Sequence, residues 1–164
     1  MNKVIIIGCP GSGKSTFARK LKAITNLPLY YLDMIYHLPD KTDLSQEEFA
    51  QKILEITKTD KWIIDGCFFD NIKPRIKSCD TIFFMDIKTE VCLNNVIKRA
   101  GIKRDDFPWI EDKNDEKFHN YILNFNKNYR SKILKMLDEN KDKEIHSFKK
   151  LSDSDKFIKD LEKS

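Results

Sequence analysis

Near the start of the chain an apolar run, Val4–Ile7, leads into Gly8-Cys9-Pro10-Gly11-Ser12-Gly13-Lys14-Ser15-Thr16. Glycine, four residues, then Gly-Lys-Ser is the spacing of a loop whose backbone amides wrap an anion, with a helix N-terminus behind them. Lys14 supplies a mobile charge for the β- and γ-phosphates, and Ser15 a hydroxyl for magnesium. Gly8, Pro10, Gly11, Ser12, Gly13, Lys14, Ser15 and Thr16 are therefore expected to hold ATP or a related triphosphate together with Mg2+. The apolar run before the loop and the amphipathic stretch after it give the pattern the context it needs.

What becomes of the phosphate is a separate question. Asp65 and Asp86 each close an apolar run and are candidates to join Ser15 at a metal. Asp65 is the expected magnesium partner, with its strand beside the first, and Asp86 is expected to be structural. Gly66 stands where many hydrolytic ATPases carry a glutamate that activates water. Neither "NKNY" nor "NKDK" satisfies the guanine-specific Asn-Lys-x-Asp pattern. With no residue to prepare water, transfer to another molecule is the expected fate.

An acceptor needs its own residues. Asp33, at the end of a short apolar run, can orient an acceptor hydroxyl or take its proton. Tyr36 and Gly66 are expected beside the acceptor, and Arg75 to clamp an anionic group on it. Arg99 and Arg104 flank Gly101 in a basic segment, a lid at about 99–112, from which both would close over the phosphates. Arg130 is expected to face the nucleotide from a long helix.

These residues must be positioned by regular elements. Val4–Ile7, Leu29–Leu32, Trp62–Gly66, Thr81–Asp86 and Glu144–Phe148 read as strands. Between them, Phe17, Ala18, Leu21 and Ile24 recur at helical spacing, and Ser45 with Glu48 forms a capping box ahead of Phe49, Ile53 and Ile56. Thr89 is the expected cap of a helix running to Arg99, and a long helix is expected from about 114 to 137. A last helix surrounds Phe157, Ile158 and Leu161. Strands alternating with helices imply parallel crossovers, hence an α/β sheet layered between helices. With no repeat or linker, 1–164 reads as one domain.

Composition narrows the class. At 164 residues, 40% hydrophobic and 34% charged, the chain has the makeup of a globular protein with a substantial core. The net charge of +4 is the difference between 30 basic and 26 acidic residues. Acids interleave with bases, as in "DENKDKEIH", which argues against a nucleic-acid-binding stripe. Four scattered cysteines lack zinc spacing and read as reduced thiols, so the expected compartment is the cytoplasm. No apolar run approaches a membrane span, and Lys14 cuts the opening stretch too short for a signal peptide.

Taken in order, "VIIIGCPGSGKSTFARKL", "LPLYYLDMIYHLP", "WIIDG" and "RIKSCDTIFFMDI" resemble the DNA topology-modulation proteins among the adenylate-kinase-like P-loop kinases. The resemblance implies a three-layer P-loop NTPase fold, a five-stranded parallel sheet of order 2-3-1-4-5, and a short lid. It implies ATP with magnesium, and a small molecule, nucleoside or nucleotide as acceptor. Gly11, Gly13, Lys14, Ser15, Thr16, Asp33, Asp65 and Arg75 fall on its motif positions. Two departures stand out: Cys67-Phe68 replaces the family's common Asn-Tyr, and "KRAGIKRDDFPW" is a more sparsely basic lid. The family's name also raises a second reading, a nucleotide-binding regulator of DNA topology with little catalysis.

Overall fold

Val4, Ile5, Ile6 and Ile7 are wholly buried in β1 (Lys3–Gly8), as a strand covered on both faces must be. The computed structural model describes all residues, 1–164, and sets β1 at the centre of one sheet. It is joined by β2 (Leu29–Tyr31), β3 (Trp62–Asp65), β4 (Thr81–Met85) and β5 (Glu144–Phe148). Every pairing is parallel and the order is β2-β3-β1-β4-β5, as the resemblance implied. Register sets Ile6 beside Asp65 and Gly8 beside Met85, so the phosphate loop and Asp65 emerge at the same carboxyl edge. That edge is where open parallel sheets bind ligands.

Helices fill the crossovers. α1 (Lys14–Thr25) follows the loop directly and buries Phe17, Ala18 and Leu21. α2 (Leu32–Tyr36) is a short turn carrying Asp33, so this carboxylate sits on a helix rather than at a strand end. α3 (Gln46–Thr57) begins with the expected capping box: Ser45 Oγ accepts from the Glu48 amide, and Glu48 accepts from that of Ser45. α4 (Ile72–Ser78) and α5 (Thr89–Arg99) flank β4 in sequence. Thr89 is the first residue of α5 rather than its cap; Lys88 holds the cap position, and no side chain closes it.

The expected long helix is divided. α6 (Glu116–Phe125) and α7 (Ser131–Asp138) are joined by a π-helical turn, Asn126–Arg130. The extra residue of that turn rotates the apolar stripe, moving Ile133 and Leu137 back to the core. α8 (Leu151–Glu162) packs on α1 and completes an aromatic cluster in which Phe17 lies 4.8 Å from Phe83 and Phe157 lies 5.2 Å from Phe83. The two buried rings, Phe17 and Phe83, each contribute about 1.5–3 kcal/mol by leaving water. The stretch between α5 and α6 is irregular, and its base is closed by the Gly101 amide donating to the Glu111 carbonyl.

Candidate active site

The loop from Gly8 to Gly13 is shaped by close backbone approaches. Gly11 has φ 79°, and a Cβ there would collide with the carbonyl of Cys92 in α5. Asn95 of the same helix donates to the Gly11 carbonyl at 2.9 Å, fixing loop to helix. Gly13, at φ 86°, caps α1 and rests against Leu151. Ser12 is fully buried with its hydroxyl unpartnered, so it shapes the loop from beneath rather than facing outward. Lys14 folds back over the loop and donates to the Cys9 carbonyl at 2.8 Å.

Beside the loop, Ser15 Oγ donates to Asp65 Oδ2 at 2.5 Å. The other oxygen, Asp65 Oδ1, is buried and has no hydrogen-bond partner. Burial pushes the Asp65 carboxyl up to about 6, against the pull of Lys14 and Ser15. A hydroxyl paired with an under-satisfied carboxylate is the oxygen set that suits a hard cation such as Mg2+. No group of three His, Cys, Asp or Glu ligands gathers in the structure, so Ser15 and Asp65 would hold such an ion together with phosphate oxygens.

A cavity of about 860 Å3 opens over this pair. Gly8, Pro10, Gly11, Gly13, Lys14, Ser15 and Thr16 form one wall, with Leu151 beyond them. Asp33, Asp65, Gly66, Arg99 and Arg104 also face it. Asp33 is 45% exposed to the cavity, but the surrounding walls desolvate it and raise its pKa despite Lys14 and His37 nearby. His37 lies 2.6 Å from Asp43 through Nδ1 and 3.9 Å from Asp33 through Nε2, a carboxylate–imidazole–carboxylate row.

The irregular segment supplies the remaining wall. Glu111 accepts from Arg99 Nε and forms an ion pair with Arg104 Nη2, each at 3.0 Å. Asp106, almost fully buried, meets Arg104 at 3.6 Å and Arg19 at 3.9 Å. Phe107 and Trp109 each stand 5.4 Å from the His37 ring, so the segment reaches across to α2.

Besides Ser12, three expected site residues lie outside the cavity lining. Arg75 is fully buried and turned into the protein, donating to the carbonyls of Gly66 at 2.7 Å, Cys67 at 2.5 Å and Phe68 at 2.9 Å. With Asn71 also accepting at 3.3 Å, four of its five N–H donors hold the loop after β3, and full burial keeps the guanidinium away from an acceptor anion. Arg130 makes a two-pronged pair with Asp86, both contacts 2.8 Å, and does not line the cavity. Tyr36 packs between Phe49 and Phe68, at 5.0 and 5.3 Å, behind the cavity wall. The lining residues that motif reading passed over are Phe68, Phe107, Trp109, Asp106 and Glu111. The aromatic pair around Pro108 in "DDFPW" was the signal for Phe107 and Trp109.

Solved structures share this architecture. Shikimate kinase from Bacteroides thetaiotaomicron superimposes with a TM-score of 0.61 at 14% identity, covering 98% of this chain and 95% of that one. Shikimate kinase from Acinetobacter baumannii in complex with shikimate gives 0.59 at 12% identity, over 98% and 90%. The fold is that of the P-loop kinases. In sequence, adenylate kinases of Thermotoga petrophila and Thermotoga maritima are each 30% identical over 88 residues, 52% of this chain. That match spans 39% of the length of either relative. No family model matches the chain.

Proposed function

We propose that this protein is a phosphotransferase that moves the γ-phosphoryl group of ATP, or a related triphosphate, to a small molecule, nucleoside or nucleotide. One juxtaposition carries the reading: the Lys14 loop, the Ser15–Asp65 pair and the Asp33 carboxylate all face one cavity. Lys14 would leave the Cys9 carbonyl for the phosphates, and the loop amides would hold them in place. Ser15 and Asp65 would hold magnesium, whose charge offsets that of the phosphates when it is bound. Asp33 would accept a hydrogen bond from the acceptor hydroxyl and receive its proton. Its raised pKa suits that role, because a base with greater proton affinity drives the transfer better.

Arg99 and Arg104 would act from a lid over residues 99–112, within a chain that works as one unit over 1–164. The step is then mostly positioning and charge stabilisation. Gly66 after Asp65 offers no group to activate water, which favours transfer over hydrolysis. The motifs keep the DNA topology-modulation proteins as the proposed family, and four buried free thiols suit the cytoplasm as the proposed compartment. No helix is long and apolar enough to cross a membrane.

The test offers labelled ATP with magnesium and a panel of hydroxyl acceptors to the wild type and to Lys14→Ala. Label is expected on one acceptor class, with a loss of about 100-fold or more in Lys14→Ala and an unchanged melting temperature. Equal transfer by the two proteins would overturn the mechanism.

A further inference from the structure

The acceptor end of the cavity lacks what an anion needs and carries what a flat ring needs. We infer that the acceptor is an uncharged, ring-bearing alcohol of nucleoside size rather than a nucleotide or another anion; this rests on the phosphotransferase reading. The acceptor end is fixed by Asp33, because a hydroxyl must reach that carboxylate to be deprotonated. Around Asp33 stand His37, Phe107 and Trp109, the last two 4.8 Å apart and edge to face. Phe68, two residues after Gly66, adds another aromatic wall. Rings stack on such surfaces whatever their substituents.

Every cation close to that end already has a partner, apart from the solvent-exposed Lys41. Arg75, where an anion clamp was expected, is buried with its donors on four backbone carbonyls. Arg104 is shared between Glu111 and Asp106 and lies over the Phe107 ring at 5.6 Å. Arg19 faces Asp106. His37 sits between two carboxylates, those of Asp43 and Asp33. Lys41 lies at the exposed rim. An anionic acceptor would enter beside Asp33 and Asp106, and could win a cation other than the solvent-exposed Lys41 only by breaking one of these pairs. An uncharged alcohol breaks none of them.

The chemistry balances on groups already named. The acceptor oxygen forms a bond to the γ-phosphorus and its proton passes to Asp33. The bond from the γ-phosphorus to the bridging oxygen breaks, and the nucleoside diphosphate leaves with that electron pair.

Matched pairs decide the matter: nucleosides against their own 5′-monophosphates, with shikimate as an anionic alcohol, each assayed with Mg-ATP. At least one nucleoside is expected to exceed its monophosphate by about 100-fold in kcat/KM. For that acceptor, Trp109→Ala is expected to raise KM about tenfold, with a much smaller change in kcat. Preference for a monophosphate or for shikimate would overturn the inference and leave the phosphotransferase reading standing. Should no compound be phosphorylated, calorimetry with a non-hydrolysable ATP analogue and magnesium gives the answer. Tighter binding of a nucleoside than of its monophosphate supports the inference; the reverse order, or no binding of either, overturns it. A protein that neither binds nor consumes ATP overturns the phosphotransferase reading itself, a result distinct from all of these.

Discussion

Asp65 carries a cost in the ligand-free chain. Its folded pKa of about 6 lies above the ordinary value of 3.8, so burial opposes its charged form. At pH below about 3.8 the group is protonated in both states and costs nothing. As pH rises from there through about 6, the unfolded chain loses its proton first and the folded state loses stability, fully so above that window. Asp65→Asn is accordingly expected to raise the stability of the free protein at pH 8 by about 2–3 kcal/mol. Denaturant unfolding at pH 8 and pH 4 checks this, because the gain should vanish at the lower pH. The same substitution is expected to lower Mg-ATP-dependent transfer about 100-fold, because under the proposed function Asp65 would hold the metal with Ser15.

At the level of elements, the sequence made the strands legible because buried parallel strands are continuous apolar runs. β5 was read to the residue, and β1, β3 and β4 to within a residue at an end. The phosphate loop was equally readable, because its glycines answer to local backbone demands. Arg75 was misread for the opposite reason. Its position on α4 was foreseeable, but the direction of its side chain depends on carbonyls that a long-range fold turns inward. The loop from Gly66 to Phe68 is tied to α4 by this one guanidinium. Arg75→Ala would leave those carbonyls unpaired, each costing about 1–3 kcal/mol. A thermal melt is expected to show a fall of ten degrees or more, roughly what several kcal/mol produce in a domain of this size. A loss of acceptor affinity at unchanged stability would instead restore the clamp. The π-turn at Asn126–Arg130 was equally beyond motif reading, because an apolar stripe drifts gradually and no residue type marks the insertion.

For the molecule as a whole, the cavity is completed by parts distant in sequence: the loop at one end of the chain, Leu151 near the other, and the segment around Trp109 between them. Nucleotide binding should therefore be reported by that segment. The chain has two tryptophans, and Trp62 is buried in β3. Adding a non-hydrolysable ATP analogue with magnesium is expected to change the intrinsic fluorescence, and Trp109→Phe to abolish the change; an identical signal from the variant would mean that the segment does not respond. The way Glu111 holds Arg99 and Arg104 has a wider consequence. A lone inorganic anion arriving at Arg99 and Arg104 meets cations that are already engaged and has little with which to outbid their partner. A triphosphate presents many oxygens at once and can repay several broken contacts together. Under the proposed function the segment would thus set an entry threshold that a triphosphate meets and a lone inorganic anion does not.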